Sequence, residues 1–230
     1  MKLSLISFGS LGVVASLLVA CASATPSPSA RPPVKSLELE SQTVALYTQD
    51  GEAPRCTAVW VDDHKILTAA HCISDDAEDP IFYATRTEYQ GAFRKPTLHS
   101  MALLKADEKA DLALYETGAF DTPKHVTAVV SSSTPPVGAP LHFMGHSAGL
   151  AWSYKHGYVA FYRETDFRPV EGKTGPWLQV SAPIFHGDSG GGAFNEYGEL
   201  VGIASFMASR VPLAAFFVER GTIAKFVGAE

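Results

Sequence analysis

The sequence predicts an all-β fold, arranged as a sandwich or as barrels, that closes with a short C-terminal helix. From about residue 37 onward, short apolar runs rich in Val, Ile, Tyr and Thr recur, and Asp, Gly and Pro break them. This spacing is typical of strands and turns rather than of helices. The chain has 230 residues, 46% of them hydrophobic, and about 190 residues are enough for two small β-domains.

The predicted strands form two sets that are separated by a Ser- and Pro-rich linker at residues 126–136. The first set comprises Thr43–Tyr47, Cys56–Val61, Ile66–Leu67, Ile81–Thr85, Ala102–Leu104 and Leu112–Tyr115. The second set comprises Leu141–Met144, Trp152–Phe161, Trp177–Ala182, Gly192–Phe194, Leu200–Phe206 and Leu213–Val218, and a helix is predicted over Thr222–Val227. We therefore expect an N-terminal β-domain at residues 37–125 and a C-terminal β-domain with the helix at residues 137–230.

The first 20 residues have the composition of a signal peptide. Lys2 supplies a positive charge near the start, and the apolar run from Leu11 to Ala20 is too short for a comfortable transmembrane span. The run ends Leu18-Val19-Ala20-Cys21, which resembles a bacterial lipoprotein signal, so Cys21 would become a lipid-bearing N-terminus. The alternative is an ordinary secretory signal that is cut near residue 22 or 24.

The following segment, residues 21–36, is small, polar and Pro-rich and predicts an extended tether rather than a packed element. With lipid on Cys21, the protein would be exported and anchored in the cell envelope, at the outer membrane or the cell surface. Its globular part would then lie in the periplasm or outside the cell. The formal net charge of −6 argues against nucleic acid as a partner.

Residues 186–192, His-Gly-Asp-Ser-Gly-Gly-Gly, carry the clearest chemical signal. Their glycines permit positive φ angles and leave peptide N–H groups uncovered beside the Ser189 hydroxyl. Two such groups, on Gly187 and Ser189, would bind the oxyanion of a tetrahedral intermediate. The pattern also fits the nucleophile elbow of α/β-hydrolases or a plain Gly-rich turn. An α/β-hydrolase, however, needs a histidine after its serine, and none follows Ser189.

Three segments together resemble the signature segments of the trypsin/chymotrypsin-like serine peptidases. They are Leu67–Cys72, Asp111–Leu114 and Gly187–Gly191, and they follow that family's order of His, Asp and Ser. Their short spacing is similar to that of compact bacterial members, including the protease domain of the HtrA group. The resemblance implies two six-stranded antiparallel β-barrels with the active site between them, and a serine endopeptidase that cuts proteins or peptides without a cofactor.

The resemblance assigns the catalytic roles to His71, Asp111 and Ser189. A serine hydroxyl is a weak nucleophile and needs an adjacent base, here His71. Asp111 would hold the ring in one tautomer and stabilise the imidazolium. Asp107 is the alternative acid, but it lies among charged residues, whereas an apolar strand begins directly after Asp111.

The chain has three cysteines, an odd number for an exported protein. If Cys21 carries lipid, Cys56 and Cys72 remain, and the family resemblance pairs those two positions. Their disulfide would brace the loop that carries His71. It would also imply an oxidising compartment.

The resemblance also suggests which residues contact the substrate. Pro183 would lie at the base of the primary pocket. His186 would lie at the rim of the oxyanion loop, or would be a surface histidine without function. Ser205, Phe206 and Met207 match the segment that pairs with the substrate backbone. Because Pro183 is not an acid and Met207 stands where glycine is common, we expect a small or medium apolar residue before the cut.

Activation is where the sequence departs from the digestive enzymes of the family. Those enzymes pair the Asp before the nucleophile, here Asp188, with a newly cut N-terminus. This sequence has no basic cleavage site followed by Ile-Val-Gly-Gly. A buried Asp188 would need another partner, expected to be an arginine such as Arg163 or Arg210. The alternative function is therefore a protease-fold lipoprotein with little or no turnover that binds or senses.

A metal site is not expected. His142 and His146 are four residues apart, a spacing that suits a metal only on a helix. Pro140 and Gly145 flank a strand-like run at this place, so the helical spacing does not apply.

Overall fold

The computed structural model describes residues 36–48, 52–73, 80–86, 96–118, 123–164 and 172–229. Within these ranges the chain forms two closed antiparallel barrels of six strands each, so the predicted all-β class is confirmed. The signal-peptide, tether and lipid predictions, including Cys21, concern residues 1–36, which lie outside the described residues except for residue 36, where a helix begins. Among the described helices, none is long and apolar enough to cross a membrane.

The first barrel closes through the pairing of its first and fourth strands. Its strands are β1 (Thr43–Tyr47), β2 (Cys56–Asp62), β3 (Lys65–Thr68), β4 (Phe82–Ala84), β5 (His99–Asp107) and β6 (Leu112–Thr117). Strand β5 is longer than the run that the sequence predicted. Most of its residues are exposed, so its pairing with neighbouring strands, and not an apolar pattern, defines its ends. The interior is filled by large side chains of which Trp60, Ile66 and Tyr83 are almost fully buried.

The second barrel closes in the same way, through β7 and β10. Its strands are β7 (Pro140–Gly145), β8 (Ser153–Arg163), β9 (Trp177–Ser181), β10 (Gly192–Phe194), β11 (Leu200–Met207) and β12 (Ala214–Glu219). Phe143 and Phe217 lie at its centre with ring centroids 5.3 Å apart. Both barrels therefore have interiors of packed side chains.

One helix lies at each end of the fold. Helix α1 (Ser36–Gln42), which the sequence did not predict, precedes β1 and buries Leu39 completely. Helix α2 (Arg220–Val227) begins where the Glu219 carboxylate accepts hydrogen bonds from two N–H groups of the first turn, each at 2.8 Å, which satisfies donors that the helix leaves open. It ends at Gly228, whose φ of 77° is left-handed.

A shared apolar cluster joins the two barrels and helix α2 into one body. Leu67 and Leu112 come from the first barrel, Ile203 and Phe216 from the second, and Ile223 from the helix. Burying such side chains stabilises the contact by roughly 1.5–3 kcal/mol each. The loops that extend from these strands are therefore held at a fixed distance from one another.

The Cys56–Cys72 disulfide that the family resemblance implied is present. It joins the start of β2 to the 3-10 turn at Ala70–Cys72, in which His71 is the middle residue. The Cys72 sulfur also lies 3.7 Å from the Ser189 carbonyl oxygen. The bridge thus restrains the histidine turn next to the serine loop.

Replacing both cysteines, as Cys56→Ala with Cys72→Ala, should lower the free energy of unfolding by ~3 kcal/mol, because the open loop gains entropy in the unfolded chain. Urea titration monitored by tryptophan fluorescence measures the change. Val129→Ala, a truncation at an exposed position, is the control. An unchanged urea midpoint in the double variant would contradict the bracing role.

Candidate active site

Asp111 lies in the turn before β6 with its side chain fully buried. Its φ of 59° is in the left-handed region, where aspartate is tolerated better than most residues. The alternative acid, Asp107, is exposed and accepts a hydrogen bond from the Ala110 N–H at 2.9 Å. Asp107 therefore stabilises the turn from outside, while Asp111 points into the protein.

The Asp111 carboxylate holds His71 by both its ring and its backbone. Nδ1 of the ring lies 2.8 Å from Oδ2 and 3.0 Å from Oδ1, and the His71 backbone N–H donates to Oδ1 at 3.0 Å. Because a carboxylate only accepts, the ring carries its proton on Nδ1. The other ring nitrogen, Nε2, is left to accept or return a proton.

Two groups from the second barrel also contact this carboxylate. Ser205 donates its hydroxyl to Oδ2, and the Lys173 ammonium pairs with Oδ1. Burial raises the pKa of Asp111, but the hydrogen bond and positive charge of His71, with the hydrogen bonds from Lys173 and Ser205, outweigh burial and hold it below its usual value. Sequence reasoning missed Lys173, since no motif surrounds it and its partner is remote in the chain.

Ser189 and His71 line the same cleft between the barrels, a cavity of about 270 Å³. Its other lining residues are Ile184, Phe185, His186, Ala204, Ser205, Phe206 and Met207. Four of the five expected substrate-binding residues are therefore brought together here. The fifth, Pro183, is exposed and lies outside the lining, because the chain turns outward after the buried Ala182 and Ile184 faces the cleft instead.

The serine loop is clamped against β2 of the first barrel. The Thr57 N–H donates to the Ser189 carbonyl oxygen at 2.8 Å, and the Thr57 hydroxyl donates to the Gly187 carbonyl oxygen at 2.7 Å. Gly190, with φ of 80°, lies so close that a Cβ atom would come within 2.3 Å of the Thr57 carbonyl oxygen. A larger residue at this position would separate the loop from the strand.

The Gly187 backbone also has a conformation that only glycine adopts readily. Its φ is 96°, and a Cβ atom would lie 2.3 Å from the His146 carbonyl oxygen. No carbonyl oxygen of the described residues accepts a hydrogen bond from the N–H of Gly187 or of Ser189. These two donors are available beside the serine hydroxyl.

His146 supports this loop from behind. Its Nδ1 lies 2.9 Å from the Thr57 hydroxyl oxygen. Because that hydroxyl gives its proton to Gly187, the Nδ1 atom must be the donor. Burial, with a smaller contribution from Lys155, lowers the pKa of His146 to about 3. The ring is therefore neutral and packs edge-on against Trp152.

His142 lies on β7 and does not join His146, which follows the end of that strand. Its Nδ1 lies 2.7 Å from the Tyr154 hydroxyl on the neighbouring strand. In the described part of the chain, no group of three or more His, Cys, Asp or Glu side chains is arranged to hold a metal ion.

Asp188 is buried beneath the serine loop, and its partner differs from the expected arginine. The Lys155 ammonium pairs with Oδ1, while Oδ2 accepts from the Ser147 hydroxyl at 2.6 Å and the Phe185 N–H at 2.8 Å. Both charged side chains are largely buried, with 9% and 4% exposed.

The expectation of Arg163 or Arg210 was wrong because of their positions. Arg163 lies at the far end of β8 from Lys155 and donates to Gln179. Arg210 is exposed. Strand alternation points Lys155 inward beside Asp188, which the sequence pattern did not reveal.

Comparisons with known proteins agree with this geometry. Residues 56–203 match the family described as trypsin-like peptidase domain. Among solved structures, the active form of the Rv3671c protease from M. tuberculosis aligns with a TM-score of 0.67 and 17% identity over 86% of this chain and 87% of that chain. An inactive-form mutant of the same protein gives a TM-score of 0.66 and 14% identity over 86% and 94%.

The serine endoprotease from Yersinia pestis aligns with a TM-score of 0.66 and 22% identity over 86% of this chain and 67% of that chain. At these identities the likeness to solved structures is one of fold. No curated protein matches the chain in sequence. The family match spans more than half of the chain, and the protein therefore belongs to the trypsin-like peptidase family and is a serine-type endopeptidase.

Proposed function

We propose that the protein hydrolyses peptide bonds with Ser189 as nucleophile, His71 as general base and Asp111 as the residue that orients His71. The observation that carries the proposal is the hold of Asp111 on the His71 ring, 2.8 Å from Nδ1, in the cleft that Ser189 also lines. This arrangement leaves Nε2 to exchange a proton with the substrate-facing serine.

In the proposed reaction, the Ser189 hydroxyl oxygen attacks the peptide carbonyl carbon and its proton passes to His71 Nε2. The carbonyl oxygen becomes an oxyanion that accepts hydrogen bonds from the Gly187 and Ser189 N–H groups. His71 then gives its proton to the departing amine, and an acyl-enzyme remains on Ser189. Water hydrolyses the acyl-enzyme by the same steps, while the Asp111 charge stabilises the imidazolium in both stages.

A fluorophosphonate probe should form a single adduct on Ser189, because only an activated serine attacks such a probe. Ser189→Ala should abolish the adduct, and His71→Ala should slow labelling and casein cleavage by about 10⁶-fold. Intact mass and peptide mapping identify the adduct.

The matched controls are Ser209→Ala and His156→Ala, which change the same residue types at exposed positions. Both should label at the wild-type rate. Casein cleavage that survives Ser189→Ala at full rate would refute the assignment. Folded wild-type protein that takes no label would favour the binding or sensing alternative.

We also propose that the site assembles without proteolytic activation. The Lys155 ammonium supplies the positive charge that Asp188 needs, and the Asp188 carboxylate holds the Phe185 N–H three residues before it. The loop bearing Gly187 and Ser189 is thereby braced by a group within the chain. A newly cut N-terminus is then unnecessary.

Lys155→Met should destabilise the protein by about 3–5 kcal/mol, because it leaves the buried Asp188 charge without its partner. Labelling of Ser189 should fall together with stability. Thermal unfolding and the labelling rate measure the two effects. Adding Asp188→Asn to Lys155→Met should recover part of the stability, and Lys124→Met, at an exposed lysine, should change neither. Wild-type stability and labelling in Lys155→Met would contradict the proposal.

The proposed preference for a small or medium apolar residue before the cut rests on the shape of the cleft. Ala204, Ile184, Phe206 and Met207 supply apolar surface, and none of the described residues that line the cavity is a carboxylate. A cavity of about 270 Å³ that contains a methionine side chain suits short apolar groups better than long basic ones.

Met207→Gly should enlarge this space and raise kcat/KM for peptides with Phe or Leu before the cut by roughly 10-fold relative to Ala peptides, since each methylene group in such a pocket contributes about 1–3 kcal/mol. A fluorogenic peptide series that differs only at that residue gives the ratio. Met101→Gly, remote from the cleft, is the matched control. An unchanged ratio would show that Met207 does not bound the pocket.

The proposed place of action is the cell envelope, with the globular part in the periplasm or outside the cell. The lipoprotein-like segment ending at Cys21 suggests the anchor. The Cys56–Cys72 disulfide supports an oxidising compartment. Protein and peptide substrates in that compartment would reach the cleft directly.

A further inference from the structure

Lys173 contacts the Asp111 carboxylate but takes no part in the bond-making and bond-breaking steps of the proposed reaction. Its ammonium pairs with Oδ1 of Asp111, the oxygen that also accepts the His71 backbone N–H at 3.0 Å. The contact is well protected from water, with 17% of the Lys173 side chain and none of the Asp111 side chain exposed. A pair in this setting interacts more strongly than a surface ion pair and is screened less by salt.

A backbone contact next to Lys173 holds this residue close to Asp111. It lies between β8 and β9 of the second barrel, while Asp111 belongs to the first. The next residue, Thr174, donates its N–H to the Lys109 carbonyl oxygen at 2.9 Å, in the turn between β5 and β6. The Lys173 segment is therefore anchored to the same turn that carries Asp111.

A second cavity, of about 370 Å³, lies on the side of His71 next to Lys173. Arg55, Ala70, His71, Ile73, Glu108, Asp111, Gly172 and Lys173 line it. His71 thus separates the cleft that contains Ser189 from a space into which Lys173 faces.

The charge of Lys173 has two consequences for the triad. It favours the ionised form of a carboxylate that burial alone would neutralise. It also opposes the negative charge that stabilises the His71 imidazolium. Burial raises the pKa of Asp111, and His71, Lys173 and Ser205 together hold it below its usual value.

The other charged or titratable groups around His71 are more exposed than Lys173. Arg55 precedes β2, Glu108 lies in the β5–β6 turn and His186 lies in the serine loop, and all three side chains are exposed. Solvent screens such groups effectively. Apart from His71, Lys173 is therefore the cation of the described residues that acts most directly on the Asp111 carboxylate.

We propose that Lys173 is a positioning residue of the triad, which holds the Asp111 carboxylate from the second barrel and weakens His71 as a base so that activity extends to lower pH. The inference rests on the proposed function of Ser189, His71 and Asp111. It adds a residue from the β8–β9 segment that controls the pH range of the reaction.

The test compares wild type with Lys173→Met, Lys173→Gln and Lys173→Arg in kcat/KM for one fluorogenic peptide as a function of pH. In Lys173→Met and Lys173→Gln the acidic limb of the pH profile of kcat/KM should move to higher pH by about one unit. Lys173→Arg should leave the acidic limb at the wild-type pH, because arginine keeps the positive charge. Lys124→Met, at an exposed lysine, should not move it.

Lys173→Gln separates charge from hydrogen bonding, because the amide can still donate to Asp111 without a charge. A role limited to holding the loop would change the plateau rate or KM and leave the acidic limb in place in every variant. That result would overturn the proposal. Circular dichroism confirms folding, and if Lys173→Met does not fold, the Gln and Arg pair still decides the outcome.

A second readout does not depend on turnover. Histidine-ring ¹⁵N NMR of the Ser189→Ala protein follows the His71 titration, with His71→Ala identifying its signal. Adding Lys173→Gln should shift that titration upward by about one pH unit, and an unchanged titration would overturn the proposal. Wild-type protein that neither cleaves nor labels would refute the proposed function instead, and the NMR result would still decide the effect of Lys173.

Discussion

The arrangement of the active site depends on the buried carboxylate of Asp111, which must stay ionised. The Asp111 side chain is entirely removed from solvent, so its charge requires donors around it. His71 supplies its ring and backbone from the disulfide-braced turn, and Ser205 and Lys173 supply theirs from the second barrel. The hydrogen bonds and the ion pair of this carboxylate therefore bring together the elements on both sides of the cleft.

A steric constraint acts at the same interface. Thr57 on β2 binds the carbonyl oxygens of Gly187 and Ser189, and the backbone of Gly190 approaches too closely for any side chain. His146 then uses its neutral ring to hold the Thr57 hydroxyl in place. The nucleophile loop is thus positioned by the first barrel although it belongs to the second, which explains why its glycines are spaced as they are.

Two lysines form buried ion pairs that no sequence motif indicates. Lys155 balances Asp188 under the loop, and Lys173 balances Asp111 beside the histidine. Each cation lies in β8 or in the segment between β8 and β9, and each pairs with a buried carboxylate. One supports the shape of the oxyanion loop, and the other acts on the electrostatics of the base.

The sequence alone determined the all-β class, because apolar runs of strand length recur between turn residues, and it identified the segments around His71, Asp111 and Ser189 through local motifs. Helix α1 and most of β5 escaped prediction, since burial or pairing with remote strands defines them rather than an apolar period. The partners of Asp188 and Asp111 were decided only by the tertiary structure. A lysine carries no local sign of the carboxylate it will meet, because barrel closure and strand alternation set which side chains face each other across the cleft.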